Sequence, residues 1–186
     1  MTRATRGCSN VPMDVAAVYL ECYGRVPPLC QLAVEGLDRE ALGRQVGPGA
    51  NPIGWLVWHL TRVQDHHVSE LLDTEQLWIA DGWAARFGRE PAVMDLGYGM
   101  TADEVAAFDP VSAELLLGYH DAVDARTRAY LPTLTADDLD RVVDRSWDPP
   151  VTLGVRLVSI VDDSLQHVGQ ALYVRGLVDT EWRFPA

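Results

Sequence analysis

The stretch NPIGWLVWHLTRVQDHHVSELL, Asn51 to Leu72, decides the fold. Asn51 is placed to cap a helix, with Pro52 at its first helical position. No proline follows for a long way, so the spacing predicts one long helix from Pro52 through Trp78. His59 lies in its most apolar part, between Trp58 and Leu60. A histidine there costs free energy unless it is paired. A bond to a neighbouring helix would pair it, and so would a metal ion.

Three more helical segments flank this one. Residues 14–37 repeat apolar positions at three and four, as in Val15, Val18, Tyr19 and Cys22. Pro27 and Pro28 interrupt that run, which predicts a kink or two consecutive helices. Residues 110–131 form the third segment, opened by Asp109-Pro110, and residues 152–177 the fourth, capped by Thr152. GLDREAL reads as a turn with a short helical restart, and TADEV as a short capped helix. RVVDRSW reads as a short strand or extended arm. The connector over residues 80–110 is long, rich in glycine and proline, and carries aromatics. It is expected to be a lid or a site wall. Four substantial helical segments with little strand signal predict an all-α, antiparallel four-helix bundle, one domain over residues 1–186.

Composition narrows the function classes. Of 186 residues, 48% are apolar, which suits a folded globular chain. The formal charge is −12, which argues against a nucleic-acid partner, since phosphate binding needs a basic face. Every cation is an arginine, and the absence of lysine excludes a lysine nucleophile or Schiff base within the chain. No apolar run has the length of a membrane span, and the N-terminus lacks the apolar stretch of a secretory signal. A cytoplasmic location is expected. Cys8, Cys22 and Cys30 are odd in number and show no C-x-x-C, so a disulfide framework is not expected. Cys22 and Cys30 read as inert core thiols.

The histidines carry the chemistry. Asp163 and His167 stand four apart in DDSLQHVGQ, one above the other on a helix, and can hold one cation between them. A catalytic divalent site usually has three protein ligands and an open position, so a third must come from another helix. His59 is the best candidate. His66 lies two turns along the same face, too far to share an ion with His59. His66 and His67 read as solvated or rim residues, and His120 as a surface pair with Asp121. Arg62 is an alternative partner for Asp163, in which case the three residues form only a salt-bridged bundle.

The quoted stretch, with its GW-x-x-WH pattern, resembles the second helix of the DinB/YfiT-like superfamily. DDSLQHVGQALYVRGL is similar to the closing helix of that superfamily, matched at Asp163, His167, Gly169, Gln170 and Arg175. DGWAARFG and GYG resemble the connector of its actinobacterial, mycothiol-using branch, which includes the maleylpyruvate isomerase-like enzymes. The resemblance runs from Asn51 to Leu177. It implies an antiparallel four-helix bundle with an up-down-down-up course, and a divalent metal, zinc or nickel, held by His59, Asp163 and His167. Relatives often have histidine or glutamate where this chain has Asp163, an oxygen ligand shorter than glutamate by one methylene.

The function this implies is metal-dependent S-transfer, joining a small thiol, plausibly mycothiol, to an electrophilic small molecule. Trp78, Trp83 and Tyr98 are then expected to wall the electrophile pocket, and Arg62, Asp65 and Gln170 to orient the sugar-like part of the thiol. Isomerase chemistry is less expected, because the chain stops soon after Leu177 whereas the isomerase carries a further domain. Two alternatives stay open: a metal-free bundle that binds a ligand or dimerises through apolar residues around LYVRGLVDTEWRF, and a metal-dependent hydrolase.

Overall fold

The computed structural model describes residues 13–185; Cys8 lies outside them. The interrupted first segment forms two helices, α1 (Val15–Tyr23) and α2 (Val26–Val34). They break at Gly24-Arg25, and Pro27 sits in the first turn of α2, where a missing N–H costs nothing. Asp38 caps the short α3 (Arg39–Gly43). The helix of the opening stretch, α4, covers Ile53–Leu72.

Two expected boundaries of α4 move. Pro52, not Asn51, occupies the cap position, and no side chain caps the helix there. The helix stops at Leu72 instead of reaching Trp78, because Asp73 turns left-handed at φ 52°. Aspartate tolerates that conformation without glycine, so no obvious breaker announces the end. The connector then carries α5 (Leu77–Ala80), α6 (Trp83–Arg86) and α7 (Ala102–Ala106), the last with a complete Thr101–Glu104 capping box.

Helix α8 spans Ala113–Tyr130 and starts later than Asp109-Pro110 suggests. Ser112 caps it by accepting from the Leu115 N–H, while Asp109 pairs with Arg39. After two 3₁₀ turns, β1 (Val142–Asp144) pairs antiparallel with β2 (Val151–Thr152), so the RVVDRSW arm is half of a small hairpin. Helix α9 (Leu153–Val178) follows, with Thr152 accepting from the Val155 N–H as its cap.

Side-chain contacts set the helix directions. The Tyr19 hydroxyl donates to the Gly154 carbonyl, and Arg175 donates to that of Glu35 at 2.7 Å. The α1–α2 run therefore climbs alongside α9 in the same sense. His59 meets Asp163 while His67 meets Arg156, so α4 descends against α9. Thr61 meets His120 and Gln64 meets Thr127, so α8 descends beside α4. The course is up, down, down, up. A β-carbon at Gly54 would lie 2.3 Å from Pro110, so only glycine lets the start of α4 pass that close to the entry of α8.

One end of the core is aromatic. Trp58, Trp78, Phe87, Phe108 and Tyr119 pack between α4, α8 and the connector. A second cluster joins Tyr23, Val68, Leu131, Leu157 and Ile160 at the other end. Cys30 is buried and unpaired, and burial pushes its thiol well above the ordinary range. His120 is a correction. It is fully buried, not paired at the surface, because it stands one turn after Leu116 and three residues before Val123, both core positions. Among the described residues, no helix is long and apolar enough to cross a membrane.

Candidate functional site

The pairing of α4 with α9 brings His59, Asp163 and His167 together. One ligand atom from each lies within 4.8 Å of the others. The His59 Nε2 is 3.9 Å from Asp163 Oδ1, and the two imidazoles meet edge to face with centroids 4.6 Å apart. A divalent ion with bonds of about 2 Å would need only small side-chain adjustments there.

Backbone carbonyls set which ring nitrogens stay open. His59 Nδ1 bonds the carbonyl oxygen of Leu96, which can only accept, so Nδ1 carries the hydrogen and Nε2 keeps its lone pair. His167 Nδ1 lies 2.8 Å from the backbone carbonyl of Asp163, which fixes the same tautomer. A carbonyl on the outer nitrogen is the usual support of a metal-ligating histidine. His59 is almost fully buried and stacks on Trp55, with centroids 4.7 Å apart. Burial lowers its pKa to about 4, so the ring is neutral at pH 7.

Asp163 is the uncomfortable member. Its Oδ2 is buried with no hydrogen-bond partner. Burial raises its carboxyl to about 6, against the opposing pull of His167. A carboxylate in that state is stabilised by a cation. The residues present therefore fit a divalent ion: two imidazoles and one carboxylate, whose Oδ1 faces both rings and whose Oδ2 has no partner.

The connector completes the site. Leu96 supplies the carbonyl, and Gly97 lets the chain lie against the ring. A β-carbon at Gly97, whose φ is +92°, would stand 2.7 Å from Trp55 and 3.1 Å from His59 Nδ1. Tyr98 covers the edge of His59 at 5.0 Å between centroids and is largely exposed. Leu96 escaped sequence reading because a backbone carbonyl has no residue signature. The glycines of GYG were the available signal.

The other expected site residues lie elsewhere. Arg62 and Asp65 are fully buried and belong to a structural network. Arg62 donates to the carbonyls of Asp95 and Val93, to Gln76 and to Tyr119. Asp65 accepts from the N–H groups of Leu77 and Trp78 and from the Tyr119 hydroxyl. Every strong group on both is engaged in tying the connector and α8 to α4. Arg62 makes its bonds to Asp95, Val93, Gln76, Tyr119 and Asp65, and not to Asp163. Trp83 packs into the core beside Tyr119, and Trp78 lies under Arg62. Gln170 is exposed on α9, one turn beyond Gln166. Of Trp78, Trp83 and Tyr98, Tyr98 alone is at the triad.

A second group, His66, His67 and Glu70, also comes within 4.8 Å. His66 is buried, against the expectation of a solvated residue. Its proton is on the wrong nitrogen for a metal. The Arg62 guanidinium can only donate, so Gln76 must turn its oxygen to Arg62, at 2.7 Å, and its amide N–H to His66 Nδ1, at 2.8 Å. His66 Nδ1 therefore accepts, and the hydrogen is on Nε2, which faces Glu70 at 3.6 Å. Arg156, 3.3 Å from His67, adds a positive charge where a cation would have to sit.

A family model described as mycothiol-S-transferase matches residues 29–180. Among solved structures, the chain is similar to a conserved protein from Enterococcus faecalis. The identity is 30% and the TM-score 0.82, over 90% of this chain and 98% of that one. No curated protein matches. The fold is the all-α, DinB-like one.

Proposed function

Because the chain belongs to the mycothiol-S-transferase family, we propose that it transfers a small thiol, mycothiol, to an electrophilic small molecule at the His59–Asp163–His167 site. The observation that supports this reading is the convergence of two imidazoles, that of His59 pinned from behind by the Leu96 carbonyl, on a carboxylate with an orphaned oxygen. A divalent cation bound there, zinc or nickel, would supply the positive charge that favours the ionised form of a substrate thiol near neutral pH.

The chain's own residues do the rest. His59, neutral because it is buried, keeps a lone pair available at pH 7. Asp163 contributes the negative charge and His167 the second imidazole. Trp55 stacks on the His59 ring and the Leu96 carbonyl holds its Nδ1. Tyr98 shields the open edge. In the reaction the thiol proton leaves to solvent, the sulfur forms a bond to the electrophilic carbon, and the leaving group departs with its electron pair. No protein cysteine takes part. Cys22 and Cys30 are unpaired thiols, as a reducing compartment such as the cytoplasm allows. Tyr173, Leu177 and Phe184 are exposed near the end of α9 and support pairing of two copies there.

Assaying one electrophile with and without mycothiol tests the reading. Conjugate formation that needs the thiol and is lost in His59→Ala supports it. Product that forms equally without thiol makes the protein a hydrolase. No turnover, with negligible metal in the purified protein, returns it to a ligand-binding bundle.

A further inference from the structure

A groove of about 530 Å³ opens beside the triad, with Asp163 and Tyr98 at one end and Glu70, Asp144 and Arg156 at the other. It adjoins a second hollow of about 510 Å³ that runs along β1 and shares those last three residues. Trp147, from the β1–β2 hairpin, lines its flank. Two large exposed rings thus line one groove: Trp147 is 66% exposed and Tyr98 64%.

The polar groups in the groove are largely committed, and its charges, Glu70, Asp144 and Asp163 against Arg156, are negative on balance. Arg156 is committed, donating to Asp144 at 2.7 Å and standing against His67. His66 is locked as an Nε2–H donor by the Arg62–Gln76 relay. His67 Nδ1 lies 3.1 Å from Glu70. Burial lowers the pKa of both histidines, so the imidazoles add little charge. What remains in this groove, beside two exposed rings, is Glu70, whose Oε1 is free, and Asp144, whose Oδ1 accepts twice from Ser146 and whose Oδ2 accepts from Arg156 with one lone-pair position left. A strongly anionic ligand would be repelled by Glu70 and Asp144. An apolar ligand would strip water from both carboxylates without replacing its hydrogen bonds. A polyhydroxylated ligand meets neither obstacle. Its hydroxyls donate to the carboxylates while its C–H faces lie on the rings.

We propose that this groove is the subsite for the sugar-like, polyol part of the thiol co-substrate, with Trp147 as its stacking platform and Glu70 and Asp144 as its hydroxyl acceptors. The proposal rests on the S-transfer reading, since the thiol end of such a ligand would reach Asp163. It moves sugar recognition from Arg62, Asp65 and Gln170 to the hairpin and the second half of α4.

The test compares mycothiol with N-acetylcysteine, which carries a thiol without the sugar, using one electrophile and the full-length protein. Trp147→Ala should lower kcat/KM for mycothiol about tenfold and leave that for N-acetylcysteine within about twofold. Glu70→Gln should move the same ratio in the same direction. Binding of the thiol-free glucosaminyl-inositol, read by saturation-transfer NMR, should weaken in Trp147→Ala. Trp147 is exposed, so an unchanged melting temperature is expected for this variant. Equal losses with both thiols, or none with either, overturn the subsite while S-transfer stands. Absence of transfer with either thiol, together with sugar binding that Trp147→Ala abolishes, overturns S-transfer and keeps the subsite.

Discussion

His59 gives its Nδ1–H to the backbone carbonyl of Leu96, 37 residues further along the chain. That bond makes a core histidine into a candidate ligand, because it turns the free lone pair toward Asp163 and His167. It also makes the connector part of the site. Arg62 grips the carbonyl of Asp95 at 2.9 Å, one residue before Leu96, so the aim of His59 depends on a buried guanidinium.

The first prediction concerns metal content. Wild-type protein purified without chelator or histidine tag should hold about one divalent ion per chain, and His59→Ala less than about a tenth of that. Elemental analysis of both decides it. Equal and negligible content in the two would remove the metal centre.

Asp163→Asn separates function from stability. In the metal-free protein the carboxyl pKa is raised to about 6 from the ordinary 3.8. Between these values the folded chain binds more protons than the unfolded one, so stability is lost as pH rises through that window. Removing the charge should stabilise chelator-treated protein at pH 7.5 by about 1–2 kcal/mol, allowing for partial exposure. The same change should abolish metal uptake. Urea titrations in the presence of chelator check the sign, and a destabilised Asp163→Asn would contradict this account of the site.

Arg62→Ala should be severe. It leaves Asp65 charged and fully buried, and releases the carbonyls of Val93 and Asp95. A loss of about 3–5 kcal/mol is expected. Tyr119→Phe, which removes one hydroxyl from the same network, should cost about 1–2 kcal/mol. Limited proteolysis should cut the connector faster in Arg62→Ala. Comparable stability losses in the two variants would mean that the guanidinium is not the hub.

His120 should shape the acid limb of stability. The Thr61 hydroxyl donates to the Val57 carbonyl, so it accepts from His120 Nδ1–H and leaves Nε2 buried without a partner. Burial lowers the His120 pKa to about 4 from an ordinary 6.5. Between those values the unfolded chain binds the extra proton, so stability falls as pH drops from about 6.5 toward 4 and no further below. The contribution is on the order of 3 kcal/mol. In His120→Phe that limb should be flatter than in wild type. Parallel pH profiles for the two proteins would refute the assignment.

Much of this is local and was legible in the residues. Asp163 and His167 stand one turn apart, and the rise of a helix fixes their mutual distance whatever surrounds them. The capping of α9 by Thr152, the Thr101–Glu104 box, and the break before Pro27 follow from side chains reaching two or three residues away. His120 was legible too, since it continues the Leu116–Val123 face, but its neighbour Asp121 made a surface pair look sufficient.

The sequence by itself determined the helical segments, the Thr152 and Thr101 caps and the spacing of Asp163 and His167 on α9, because each depends on backbone spacing within one element. Only the tertiary structure decided which histidine joins that half-site and which nitrogen it offers. It also buried Arg62 and Asp65 in a network joining α4, α8 and the connector, and brought Trp147 and Tyr98 to one groove. The physical reason is the same in every case. A partner on another element, or a backbone carbonyl such as that of Leu96, is reached only after the helices pack, and packing depends on the whole core at once.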